Sequence, residues 1–446
     1  MTEMAHTPAV IELTQSDALR KRAHAVIPAG CHTYSKGDDQ FPLLSPGFIA
    51  RGQGCQVWDV DGNEFLDWGM GLRSVILGHA FEPVVEVVRE YLGRGSNFTR
   101  PSAIETELAE LLSSIIPCAE MVKFAKNGSD ATTAAVKLAR AYTGRDIVVR
   151  CVDHPFFSID DWFIGDTACN AGVPAATKNL TKRFHYNDLP SLERVLDAHA
   201  GQVACVILEA AATMEPATGF LERVRELATR HGAVLIFDEM ITGFRWHPRG
   251  AQSLYGVTPD LATFGKAMAN GFSVAALAGR RELMELGGLK HSHPRVFLLS
   301  TTNGGETHEL AAALQTIKIL QGGDVTPHVW KAGSDLRDGF NEISDRLGLR
   351  TRIFMAGPGC SPYQVFLDDT GAVDYRLRTL YLQEMVKRGV LIPYIAPSFS
   401  HAPADVERTL NATSQSLNVV RIAVERGTVD GLLEGPAVKP VFRQYN

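Results

Sequence analysis

Between residues 120 and 320, short apolar or β-branched runs alternate with helical stretches, and this alternation narrows the fold more than any other feature of the chain. The runs are 122–125, 147–151, 203–209, 234–238 and 261–264; helical spacing covers 130–142, 190–199 and 219–231. Such a pattern predicts an α/β domain built on a mainly parallel sheet with helices on both faces. Ligands of these sheets sit beyond the carboxyl ends of the strands. Upstream, 14–27 reads as a helix ended by Pro28-Ala-Gly30. Residues 47–51 and 55–59 read as a hairpin, Asp61-Gly62 as a turn signal and 64–67 as the next strand. Residues 82–93 and 104–115 have helical apolar spacing. After about 325 the pattern becomes helix, short strands, a helix near 374–388, a strand at 390–393 and a helix from 403. The expected organisation is an N-terminal segment (1–75) of helix and small-domain strands, a large domain (76–325) and a smaller C-terminal α+β domain (326–446).

Two of the strand ends carry unusual residues. Ala233-Val-Leu-Ile-Phe-Asp-Glu-Met240 is an apolar strand ending in two carboxylates, and Asp260-Leu-Ala-Thr-Phe-Gly-Lys266 is a β-like run ending in a lysine. A charge closing a buried run calls for a partner. A lysine and an aspartate delivered by separate strand ends suit pyridoxal 5′-phosphate (PLP): Lys266 would form its Schiff base, and Asp238 would keep the pyridine nitrogen protonated. Taken singly, the pair Asp238-Glu239 also fits surface carboxylates, and Lys266 the start of an exposed helix. Glu239 reads as structural, with Arg245 as its expected partner.

A phosphate needs an anion site. Lys126-Asn-Gly-Ser-Asp130 lies between a strand and a helix, where Gly128 allows close backbone approach, Ser129 and Asp130 can cap, and the helix N-terminus offers amides and a positive dipole end. An ordinary N-cap reads the same way in isolation. Leu299-Ser-Thr-Thr-Asn-Gly-Gly305 is a second turn of hydroxyls and glycines, open to either reading.

The net charge of −6 argues against nucleic acid or an anionic membrane as the main partner. No apolar run is long enough for a bilayer, and the first residues lack a signal-peptide pattern. The seven cysteines are scattered and form no CxxC pair, which predicts reduced thiols in a cytoplasmic protein and neither a metal site nor a disulfide framework.

Over about residues 18–415 the chain resembles the class III, fold-type I PLP-dependent aminotransferases, most closely their glutamate-semialdehyde aminomutase branch. The resemblance is carried by Val57-Trp-Asp-Val-Asp-Gly-Asn-Glu64, Ile76-Leu-Gly-His79, Glu105-Thr-Glu-Leu-Ala-Glu110, Leu138-Ala-Arg-Ala-Tyr-Thr-Gly-Arg145 and Tyr186-Asn-Asp188. Ile236-Phe-Asp-Glu-Met-Ile-Thr-Gly-Phe-Arg245 and Pro259-Asp-Leu-Ala-Thr-Phe-Gly-Lys266 complete it. The resemblance implies catalytic roles for Lys266 and Asp238, and cofactor contacts at Asn127, Gly128, Ser129, Glu209 and one of Phe156 and Phe157. It further implies that Thr302 reaches the phosphate across a homodimer interface, and that 165–182 matches a loop that gates the aminomutase site.

Departures from that branch bear on the substrate. A Tyr-His-Gly segment is replaced by His154-Pro-Phe-Phe-Ser158, so a hydroxyl is lost. His32-Thr-Tyr-Ser-Lys36 lacks the arginine that grips the substrate carboxylate, and lysine does not reproduce a bidentate guanidinium clamp. A tryptophan is replaced around Gly71-Leu-Arg-Ser74, and a glutamate expected near 393–398 is absent. Arg73 is either a compensating substrate contact or a structural arginine; His32, Tyr34 and His401 either line a polar substrate pocket or are ordinary loop residues. His79 reads as a satisfied turn histidine.

The expected activity is amino-group transfer between a primary amine or amino acid and an aldehyde or ketone. The alternatives are an intramolecular aminomutase, a PLP decarboxylase or racemase, and an inactive PLP-fold binding protein.

Overall fold

The computed structural model describes residues 11–445. Its strands, in chain order, are β1 (Ile49–Gln53), β2 (Gln56–Asp59), β3 (Glu64–Asp67), β4 (Met121–Ala125), β5 (Ile147–Cys151), β6 (Thr181–Phe184) and β7 (Val203–Leu208). They continue with β8 (Val234–Asp238), β9 (Leu261–Phe264), β10 (Ala275–Gly279), β11 (Ile353–Ala356), β12 (Tyr363–Phe366) and β13 (Val390–Leu391). The chain groups into two units: residues up to Phe81 with Pro327–Val441, and Glu82–Thr326 with the tail from Phe442.

The larger unit holds a seven-stranded sheet in the order β4-β10-β9-β8-β7-β5-β6. Neighbours from β9 to β6 pair in parallel, and β10 runs antiparallel to both β9 and β4. β5, β7, β8 and β9 are buried at every position. Their Val, Ile and Leu side chains face helices on either side, and each such burial contributes about 1.5–3 kcal/mol. Val148, Cys205, Ile207, Val234 and Ile236 share one core with Ala131, Ala134, Ala135 and Leu138 of the helix Gly128–Thr143. Its small residues let that helix lie close on the sheet. Two strands carry little strand signal in the sequence. β10 is Ala-Ala-Leu-Ala-Gly, whose residues have little β-propensity, and β6 is an edge strand reading Thr-Lys-Arg-Phe.

The smaller unit has a sheet ordered β1-β2-β3-β13, antiparallel except for the parallel pair β3 and β13, and a ribbon of β11 and β12. Asp61-Gly62 makes the turn between β2 and β3. The helices Val325–Arg346, Tyr375–Val386 and Pro403–Arg426 pack on these strands through Leu336, Phe340, Leu380, Tyr381 and Leu417. Trp68 is fully buried there; its Nε1–H donates to Thr409 Oγ1 at 2.8 Å, and its ring stacks on His401 at 4.1 Å.

Candidate active site

β8 delivers Asp238 at its carboxyl end, and β9, its parallel neighbour, delivers Gly265 and Lys266 just past its own. Asp238 is 4% exposed. Its Oδ1 accepts from the Met240 amide (3.0 Å) and the Thr263 hydroxyl (3.1 Å). Its Oδ2 receives no hydrogen bond from the described residues. Burial raises the carboxyl pKa to about 6, against the pull of the Met240 amide, the Lys266 charge and the Thr263 hydroxyl. The chain thus places a buried carboxylate beside a lysine, with one oxygen left to accept from a further donor.

Lys266 is partly exposed and has φ of 47°, a left-handed backbone unusual outside glycine. Strain of this kind costs of order 1–3 kcal/mol and concentrates at functional sites. Gly265 before it could not carry a side chain without a clash: a Cβ there would lie 2.7 Å from Met240 Sδ. A Cβ on Gly128 would lie 3.0 Å from the same sulfur. The thioether following the two carboxylates therefore packs tightly on both glycines, and most tightly on Gly265.

Gly128 opens the helix Gly128–Thr143, and Asn127 is its cap. The Asn127 side chain accepts from the Asp130 amide at 3.1 Å, and the Asp130 carboxylate reaches back to the Asn127 amide. Capping was expected from Ser129 and Asp130; Asn127 does it, with Asp130 closing the box. Ser129, 7% exposed, instead accepts the Ile159 amide at 3.1 Å. The first amides of a helix have no intrahelical acceptor, so those of Gly128 and Ser129 suit an anion.

Phe157 is 2% exposed and packs with Trp162 and Phe163, and its carbonyl accepts from Thr132 Oγ1 at 2.8 Å. Phe156 is half exposed and lies between Phe163 and Phe442. Glu209 follows β7 and is 3% exposed. Its amide donates to His154 Nδ1 at 3.0 Å. His154 carries no sequence signal of its own, because its hydrogen-bond partner lies 55 positions away. Thr302 lies in an exposed loop, its carbonyl accepting from Asn97 Nδ2 at 3.0 Å. In the 165–182 segment, Asp166 is held by Arg150 (2.6 Å) and Arg183 (2.8 Å).

Glu239 is structural, but Arg245 is not its partner. Its fully buried carboxylate takes the amides of Ala251 and Gln252, the Gln252 side chain (2.9 Å) and the Thr242 hydroxyl (3.2 Å). Glu239→Ala would strand these donors in the core. It is expected to destabilise the protein by about 3 kcal/mol or more, read as a lower unfolding midpoint with Glu239→Gln in between.

His32, Tyr34, Arg73 and His401 belong to the smaller unit. His32 and Tyr34 are exposed, Tyr34 by 67%. Arg73 closes a left-handed turn in which Met70, Gly71, Leu72 and Arg73 have φ of 40°, 59°, 57° and 72°, and its Nε donates to Ser361 Oγ at 3.2 Å. Left-handed backbone costs roughly 1–2 kcal/mol for each non-glycine residue. His401 is buried, with Nδ1 2.8 Å from Ser398 Oγ, an arrangement that serves packing. His79 is satisfied, as expected: it exchanges backbone hydrogen bonds with Gly54 and lies 3.0 Å from Asp67.

The model of the class-III aminotransferases matches residues 34–357. The chain is 33% identical over 443 residues to glutamate-1-semialdehyde 2,1-aminomutase of Roseiflexus castenholzii, covering 93% of this chain and 99% of that protein. It is also 33% identical over 423 residues to 3-aminobutyryl-CoA aminotransferase of Cloacimonas acidaminovorans, covering 92% and 98%. Among solved structures, the FumI protein of Sphingopyxis sp. MTA144, in its PLP internal aldimine form, superposes with a TM-score of 0.84 at 28% identity, covering 92% of this chain and 98% of that one.

Proposed function

The chain belongs to the class III aminotransferases, and on that premise we propose that it is a PLP-dependent enzyme that moves an amino group from a primary amine or amino acid to a separate aldehyde or ketone. The observation that carries the cofactor reading is the buried Asp238 carboxylate, electrostatically coupled to Lys266 and with Oδ2 open to a donor. A protonated pyridine nitrogen is such a donor. The residues fit the group: an acceptor for the ring, a lysine for the aldehyde carbon, and helix N-terminal amides for the phosphate.

When bound, PLP supplies an electron sink for charge developing at the substrate carbon. Lys266 would hold the cofactor through Nζ, and its amine would carry the proton to and from the substrate carbon. Asp238 Oδ2 would accept the ring N–H and keep that nitrogen protonated. The amides of Gly128 and Ser129, in the helix capped by Asn127, bind the phosphate. Thr302, on its exposed loop, is proposed to reach the phosphate of a partner subunit in a homodimer, in a cytoplasmic enzyme.

Intramolecular isomerisation is the second reading, favoured by the aminomutase relatives. Against it stands the missing arginine in His32-Thr-Tyr-Ser-Lys36. Losing a bidentate ion pair in a closed site costs about 2–5 kcal/mol of binding, or roughly a factor of 30 to several thousand. Isomerisation of glutamate semialdehyde is therefore expected to be slow or absent, and amine exchange with an added donor to be faster. Rapid formation of aminolaevulinate without added donor or acceptor contradicts this. Arg73→Ala then identifies the clamp, because it raises KM for the carboxylate substrate only where Arg73 binds it.

A further inference from the structure

His154 stands three residues beyond β5 and is 2% exposed. Its Nδ1 accepts the Glu209 amide at 3.0 Å, so the pattern assigns the imidazole proton to Nε2. That Nε2 is buried and has no hydrogen-bond partner among the described residues. The ring is wedged between Tyr186 (5.0 Å) and Phe157 (6.1 Å), which leaves it little freedom to turn. Neighbouring charges do not take the proton up. Asp153 directs Oδ2 to the Tyr186 amide (2.7 Å) and Oδ1 to His185 (3.3 Å), and Arg150 is paired with Asp166. Burial pushes the imidazole pKa down to about 3, so the ring is a neutral donor at working pH.

The position of this donor is set by strand register. β7 and β8 pair Leu208 with Phe237, so the next residues, Glu209 and Asp238, leave adjacent strand ends side by side. The imidazole that caps the Glu209 amide therefore stands at the same edge of the sheet as Asp238. A buried donor without an acceptor is a standing cost to the folded chain, and such groups in native proteins call for an explanation.

We infer that His154 Nε2–H is a fixed hydrogen-bond donor to the phenolic oxygen of the bound PLP ring. This rests on the PLP reading above. Asp238 serves the ring nitrogen, Lys266 the aldehyde carbon, and the Gly128 and Ser129 amides the phosphate. The phenolic oxygen is the ring acceptor that remains. A neutral donor there stabilises the oxygen as phenolate. It competes with the proton shared between that oxygen and the lysine-linked nitrogen, and so lowers the pKa at which the cofactor's visible band titrates.

The test compares wild-type holoprotein with His154→Phe and His154→Gln by PLP dissociation and by pH titration of the visible band. Borohydride reduction and mass analysis verify in each case that the cofactor is on Lys266. The phenylalanine variant should bind PLP about tenfold more weakly, the worth of one hydrogen bond. Its band midpoint should rise by about one pH unit. The glutamine variant, which keeps an acceptor for Glu209 and a donor, should recover most of both effects. A phenylalanine variant that carries PLP on Lys266 with unchanged affinity and midpoint overturns the inference. Absence of a lysine-linked chromophore in the wild type overturns the PLP reading instead. Should the phenylalanine variant fail to fold, a wild-type holoprotein structure decides: Nε2 within hydrogen-bond reach of the phenolic oxygen supports the inference, and any other distance refutes it.

Discussion

Lys266→Ala is expected to abolish amino-group transfer while leaving PLP bound without a covalent link. Two losses combine. The protein loses the amine that reaches the cofactor's aldehyde carbon, and it loses the group that moves the substrate proton. A positioned general acid–base alone contributes about 10²–10⁴-fold, so turnover should fall by at least about a thousandfold. Retention of PLP is expected because Asp238 and the helix amides at Gly128 and Ser129 are untouched. The left-handed backbone at Lys266 makes a separate point: alanine does not relieve φ of 47°, so the variant tests chemistry and not strain relief. Measurement is by single-turnover conversion with a panel of amines and by equilibrium PLP binding. Turnover within tenfold of wild type would remove Lys266 from the mechanism.

Asp238→Asn is the second large effect. The amide is nearly isosteric and still accepts from Met240 and Thr263, but it carries no charge to hold the ring nitrogen protonated. Turnover should fall by about three orders of magnitude, or about 4 kcal/mol at 1.36 kcal/mol per tenfold. A proton-linkage signature accompanies it. In the cofactor-free protein burial raises Asp238 to about 6. The sign is that of a carboxyl with a raised folded pKa. Its contribution favours the folded apoprotein at low pH, and is lost as pH rises from the unfolded value near 4 through 6. Affinity for a protonated ring has the opposite dependence, because only the ionised carboxylate pairs with it. PLP affinity should therefore drop as pH falls below about 6 in the wild type, and this component should be missing in Asp238→Asn. Near-normal turnover of the variant at saturating PLP would contradict the role.

The central parallel strands were legible because β5, β7, β8 and β9 are continuous branched runs buried on both faces. β10 was not, because its alanines pack between β4 and β9 through small size and not through β-propensity. Asp238 and Lys266 could be found in the sequence because each is a charge at the end of such a run. Their partners could not. The cap falls on Asn127 and not on Ser129, whose hydroxyl is diverted to Ile159. Glu239 looked like one half of an ion pair with Arg245, yet amides and hydroxyls 3 to 13 residues away take its carboxylate. His154 was invisible for the same reason: its tautomer and its open Nε2 follow from the Glu209 amide, which only folding brings to it.

The most direct measurement is borohydride reduction of the purified PLP-loaded protein, followed by proteolysis and mass mapping of the reduced cofactor. The expected result is one pyridoxyl group, on Lys266 in the peptide containing Thr263-Phe-Gly-Lys266, with loss of the visible band on reduction. The modification on any other lysine, or a protein that binds PLP without a reducible link, would contradict it.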